Sequence, residues 1–178
     1  MHGRTNKNII KLLLDDQMST EENEQLSKDK EALYREICSS EGEKYHLVEG
    51  LEEVLNALKI RGIPMTICSA SIKENIDFFI EKFQLTRWFD TNKIIYDDGT
   101  HSNKISMFQD GAKAIQIPVE ECLIIEDSLS GIRYAHAVEA AKIIAITTAD
   151  KIKEYEKLAG VNQVITDYCM FDMSIFSK

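Results

Sequence analysis

The segment CLIIEDSLSGIRYAH, residues 122–136, runs four apolar residues into two adjacent acids, Glu126 and Asp127. Side chains alternate along a strand, so neighbouring acids at its end cannot both be routine surface residues. Asp127 or Ser128 can cap the helix that follows, which accounts for one acid and leaves the other. A carboxylate pair at the carboxyl end of a strand suits Mg2+, an ion that takes oxygen ligands and keeps several waters. Two other segments carry matching chemistry. ICSAS ends in Ser69, Ala70 and Ser71 directly before a helical pattern. A hydroxyl with backbone N–H groups at a helix start can hold a phosphate oxygen, although Ser at an N-cap is commonplace. Lys104 follows DDGTHSN and opens the next helix, where the macrodipole disfavours a cation. A lysine so placed is suited to neutralising carboxylates and a phosphoryl group.

The elements that must position these groups alternate. Residues 5–40 read as two charged helices, the first carrying Ile9, Leu12 and Leu13, the second starting at Thr20 and carrying Leu26, Leu33 and Ile37. After Tyr45, helical patterns at 50–62, 72–85, 104–117, 128–138 and 150–160 interleave with apolar strands. The strands are PMTICSAS, KIIY, CLIIED, KIIAITT and QVIT. Such alternation predicts βαβ units and a parallel sheet, in which ligands gather at the carboxyl ends of the strands. Ser69, Lys104, Glu126 and Asp127 all fall there. No GxGxxG, GxxxxGK[ST] or GxSxG occurs, which sets aside dinucleotide, P-loop and serine-hydrolase chemistry.

The chain has 178 residues, 44% of them hydrophobic, which suffices for one domain with a small appendage. Its 30 acidic and 21 basic residues give a net charge of −9, an argument against nucleic acid as partner but not against an anionic small substrate. The four cysteines lie far apart without ligand spacing and read as reduced, with Cys68 and Cys122 inside apolar runs. His46, His101 and His136 are scattered, and Phe78, Phe79 and Phe83 read as a packing face. No apolar run is long enough to span a membrane and no secretory leader is evident, so a cytoplasmic location is the expectation.

A Ser after one strand, a Lys opening a helix and an ED-S-x-x-G-I block, in that order, resemble the haloacid dehalogenase-like (HAD) superfamily, nearest its β-phosphoglucomutase-type phosphatases and phosphomutases. The matching stretches are GLEEVLNALKIRGIPMTICSAS, NKISMF and ECLIIEDSLSGIRYAHAV, and the likeness runs from about Gly3 to the end. The resemblance implies a Rossmann-like parallel core over 46–178 and a partial α-helical cap over 1–45. It implies Mg2+-dependent phosphoryl transfer through an aspartyl-phosphate on a small phosphorylated metabolite. Ser69 and the Ala70 N–H would then bind phosphate, and Lys104 would bridge phosphate and nucleophile. Asp127 would ligate Mg2+, with Glu126 in or near the metal's shell.

The departures matter equally. The arginine that marks the hexose-phosphate mutases is replaced by Asn6 in GRTNKN, with Arg4 shifted, which favours a phosphatase over a mutase. The superfamily's first motif, D-x-D-G-[TV], carries the nucleophile on a strand preceding the cap and does not occur in this sequence. Tyr96-Asp97-Asp98-Gly99-Thr100 puts tyrosine in the nucleophile's place and reads as a turn. The chain therefore reads as beginning inside the cap, and in relatives the strand in question lies between those that carry Ser69 and Asp127. Those two strands are expected either to close up or to receive a strand from another chain. The alternative to an incomplete phosphatase is a non-catalytic module that keeps the phosphate pocket. A receiver domain is disfavoured, since its acceptor Asp precedes the Ser/Thr, whereas Asp127 follows both Ser69 and Lys104.

Overall fold

The computed structural model describes residues 20–176. The expected helix around Ile9–Leu13, and Arg4 and Asn6, lie outside the described residues. Helix α1, Thr20–Ser40, begins with Glu21 and Glu22 in its first turn, where carboxylates suit the helix dipole. Its Leu33 and Ile37 are exposed, while Glu31 and Cys38 are buried. Helix α2, Leu51–Ile60, starts from Gly50, whose φ of 78° is left-handed. A Cβ at Gly50 would stand 2.6 Å from the Cys169 nitrogen, so both the turn and the close approach demand glycine. Helices α3, Lys73–Lys82, and α4, Lys104–Ala114, precede the sheet in sequence.

Strands β1 (Leu123–Glu126), β2 (Lys142–Ile146) and β3 (Val161–Ile165) form a parallel sheet in the order β1-β2-β3. Helix α5, Leu129–Ala137, crosses from β1 to β2, and the short helix α6, Ile152–Tyr155, from β2 to β3. The register slips between Ile143 and Ile144, and there the Asn162 Oδ1 accepts the Ile143 N–H at 2.7 Å. A side chain thus satisfies an amide at the irregularity.

Strand alternation divides the core into two layers. Ile143 and Ala145 pack with Phe108 of α4 and Ile132 and Ala135 of α5. Ile144 packs on the other face with Val54 and Leu58 of α2, Ile165 and Phe171. Covering both faces requires the apolar runs that marked these strands in the sequence. The predicted α/β parallel architecture is what the chain adopts. A third cluster joins Leu55, Leu85 and Trp88 with Phe79 and Phe83. Phe79 also meets Tyr34 of α1 edge-on, with ring centroids 6.3 Å apart, so the phenylalanine face of α3 receives α1.

Three segments differ from expectation. PMTICSAS and KIIY make one parallel bridge, Cys68 to Ile95, rather than two full strands. The helix expected over 150–160 is reduced to α6 between a 3-10 turn and Gly160, whose φ is 81°. Finally, residues 64–69 and β1 do not close up: no backbone hydrogen bond joins them. A pair needs its strands side by side, and here Ile95 takes one edge of 64–69 while β2 takes one edge of β1.

Beside the layer under α4 and α5 the Cys68 thiol donates to the Met107 carbonyl at 3.3 Å, and burial pushes its pKa up to about 12. The ordinary thiol value is about 8.5, so folding favours the neutral form. A raised folded pKa stabilises fully below the unfolded value and is lost as pH climbs through the folded one. Stability measured by urea unfolding should therefore fall between pH 9 and 12. The loss should be smaller in Cys68→Ala than in the parent, and equal losses would show that the thiol does not contribute.

Candidate functional site

Lys104 is the first residue of α4, held there by the N-cap Asn103, whose Oδ1 accepts the Ile105 N–H at 2.8 Å. Its ammonium donates to the Glu126 Oε1 and lies 5.8 Å from the Phe108 ring centroid. Glu126, the last residue of β1, is 5% exposed. Its second oxygen, Oε2, accepts the Asp127 N–H at 3.2 Å, the Ser128 N–H at 3.4 Å and the Ser128 hydroxyl at 3.2 Å. Ser128 caps α5 by accepting the Gly131 N–H on its own Oγ at 3.0 Å. The cap is therefore Ser128 and not Asp127, which leaves the Asp127 carboxylate exposed at the strand end.

Gly131 has a role that sequence reading missed. A Cβ built there would overlap the Glu126 carboxyl group, so glycine makes the seat in which that carboxylate lies. The motif S-x-x-G-I carried the signal, since a glycine in the first turn of a helix costs stability unless close packing needs it. Tyr155 is a second missed contributor. Its hydroxyl donates to the Asp127 carbonyl at 3.0 Å and fixes the backbone beneath the exposed carboxylate. Nothing in the sequence pattern marks that contact.

Ser69 ends the neighbouring strand segment. Its N–H donates to the Ile95 carbonyl at 2.9 Å, and its hydroxyl oxygen accepts the Ser71 N–H at 3.2 Å. The serine proton remains available to an oxygen ligand. Cys68, one residue earlier, donates to the Met107 carbonyl in the first turn of α4, the helix that Lys104 opens. The turn at 97–100 binds itself: Asp97 accepts the Gly99 N–H, and Asp98 accepts the N–H and hydroxyl of Thr100. Those bonds hold the Asp98 carboxyl below the usual range, as expected of a turn.

A polar bridge ties this region to α1. Asn75, 2% exposed in the first turn of α3, donates to the buried Glu31 and accepts from Arg35 at 2.7 Å. Glu31 and Arg35 lie one helical turn apart, and α3 begins two residues after Ser71. The loop that carries Ser69 and helix α1 are thereby mechanically joined.

For a cation, the donor set consists of hard oxygens. Among the described residues no three His, Cys, Asp or Glu side chains cluster to hold a metal. Glu126 is occupied by Lys104 and its own backbone bonds, so Asp127 is the carboxylate available. One carboxylate with waters and phosphate oxygens is a usual Mg2+ donor set, and Asp127 fits that part.

A family model described as haloacid dehalogenase-like hydrolase matches residues 2–158. The bifunctional riboflavin kinase/FMN phosphatase of Arabidopsis thaliana is 28% identical over 118 residues, which are 65% of this chain and 30% of that protein. The chain thus spans about a third of that curated relative. A solved HAD hydrolase, family IA, variant 3, from Entamoeba histolytica superposes with a TM-score of 0.88 at 30% identity, covering 97% of this chain and 77% of that one. β-Phosphoglucomutase from Clostridium difficile shares the fold at a TM-score of 0.74 and 20% identity, covering 97% and 75%.

The seat at Gly131 generates a double-mutant test. Gly131→Ala should drive the Glu126 carboxylate from Lys104 and lower stability by about 3 kcal/mol, the scale for breaking a buried ion pair. In a Glu126→Ala background the seat is vacated, and the same change should cost less than half as much. Fully additive losses in urea unfolding would exclude the seat.

Proposed function

The chain belongs to the haloacid dehalogenase-like hydrolases, and we propose that its strand-end cluster handles the phosphoryl group of a small phosphorylated metabolite, as a phosphatase does. The observation that carries this reading is Lys104, seated by Glu126, at the end of a strand whose next residue is the exposed Asp127. The relatives named above as an FMN phosphatase and a β-phosphoglucomutase agree with a phosphorylated substrate.

In this reading Ser69 donates its hydroxyl proton to a phosphate oxygen while Ser71 holds the serine oxygen in place, and the Ala70 N–H lies beside it. Lys104 offsets the negative charge of the phosphate and of an attacking carboxylate. Glu126 is a positioning residue for that lysine, a closer fit to its bonds than a place among the metal ligands. Asp127 would hold Mg2+, which when bound supplies charge neutralisation at the phosphate. Tyr155, through the Asp127 carbonyl, keeps that carboxylate at the strand end. Residues 1–45, including α1, act as a cap that excludes water, with residues 46–178 as the core. No helix among the described residues is long and apolar enough to cross a membrane.

Among the described strand-end residues none is assigned as nucleophile in this reading, since Asp97 and Asp98 are engaged in their own turn and Asp127 would hold the metal. The 178-residue chain should bind inorganic phosphate in the presence of Mg2+ and show no turnover of p-nitrophenyl phosphate. Ser69→Ala should weaken phosphate binding about tenfold, the effect of one hydrogen bond to a charged group. Phosphate affinity unchanged by Ser69→Ala would overturn the pocket. Turnover that disappears in Asp127→Ala would overturn the missing nucleophile.

A further inference from the structure

The turn at 97–100 closes on itself, and it also touches the Ser69 loop. The Asp97 N–H donates to the Ser71 carbonyl at 3.0 Å. Ser71 in turn donates its own N–H to the Ser69 hydroxyl oxygen at 3.2 Å. The turn therefore buttresses the residue that holds Ser69 in place. On its other side the chain runs through Ser102 and Asn103 into α4, whose first residue is Lys104.

His101 follows the turn directly, and its side chain, 12% exposed, lies between two carboxylates. Nε2 stands 3.1 Å from the Asp110 Oδ2 of α4. Nδ1 stands 3.5 Å from the Asp98 Oδ1 and 3.3 Å from the Thr100 hydroxyl. An ionised carboxylate can only accept, so Nε2 carries a hydrogen and donates it to Asp110. Asp98 and Thr100 are already bonded to each other, so the Nδ1 edge rests on a turn that is closed without it. The two anchors of this bond differ in firmness. Helix α4 is held by Met107, Phe108 and Ala112, all buried. Asp98, Gly99 and Thr100 are exposed and bring no apolar anchor of their own. Chain connection through residues 102 and 103 limits how far the turn can stray from α4, but it does not fix the angle. Asp110 lies beyond Lys104 by about 9 Å along the helix, so a bond to it fixes angle as well as distance.

We propose that His101 is a positioning residue for the phosphate pocket. Its bond to Asp110 fastens the exposed turn to α4, and the turn passes that placement to Ser71 and so to the Ser69 hydroxyl. The spacing of Ser69 and Lys104, the two side chains that would share one phosphoryl group, is then set by a chain of bonds and not by the loop alone. His101 has this role only within the phosphoryl reading given above, on which the proposal rests.

Two quantities read the outcome on the 178-residue chain: affinity for inorganic phosphate with Mg2+, and amide exchange at Asp97. A single bond at a partly exposed site is modest, so His101→Ala should weaken phosphate binding about threefold to fivefold. Exchange at Asp97 should quicken by a similar factor while the amides of β3 stay as they are. A glutamine amide can stand where Nε2 stands, and an asparagine amide only where Nδ1 stands. His101→Gln should therefore recover most of both effects, and His101→Asn should not. Asp110→Ala should reproduce the loss in the parent and add nothing in the His101→Ala background. Recovery by asparagine as good as by glutamine, or by neither, would mean that the ring only fills space and would overturn the proposal. So would additive losses, or an Asp97 amide that exchanges no faster without the imidazole. Phosphate binding weakened in Ser69→Ala and untouched in His101→Ala overturns the role of His101 alone. No phosphate binding by the parent overturns the phosphoryl reading, and the role of His101 with it.

Discussion

The pairing of Lys104 with Glu126 is the constraint on which the rest of the site depends. A carboxylate as buried as Glu126 is costly unless its charge is matched and its lone pairs are filled. Here one oxygen takes the lysine and the other takes two backbone amides and a hydroxyl from residues 127 and 128. Those bonds fix the end of β1, the direction of Asp127 and the start of α5 together. The same pair sets Lys104 at a helix N-terminus despite the dipole, because the local carboxylate outweighs a partial charge. Gly131 completes the arrangement by leaving the volume that the carboxyl group fills.

Much of this was legible in the residue order. The alternation of apolar runs with helical patterns is enough to set a parallel sheet, because both faces of such a sheet must be covered. Lys104 at a helix start, Ser128 as a cap and the turn at Asp97–Thr100 follow from side-chain types at particular positions. Other features were not legible, for reasons that are three-dimensional. That residue 104 reaches residue 126 depends on how α4 packs beside β1, and spacing along the chain does not encode it. Glu126 therefore reads equally well as a metal ligand from sequence alone. The contact of Tyr155 with the Asp127 carbonyl and the burial of Asn75 depend on tertiary approach in the same way. PMTICSAS reads as a strand by composition, yet pairing requires neighbours, and only Ile95 lies beside it.

The bridge from Asn75 to Glu31 and Arg35 has a further consequence for how α1 can move. An apolar seam resists opening because parting it exposes oily surface to water. A seam of amide, carboxylate and guanidinium exchanges its internal bonds for equally good bonds to solvent, so separation costs little net enthalpy. Helix α1 is therefore fastened to α3 by two contacts of different character, the polar bridge near the Ser69 loop and the Tyr34–Phe79 ring pair, and parting the second costs more than parting the first.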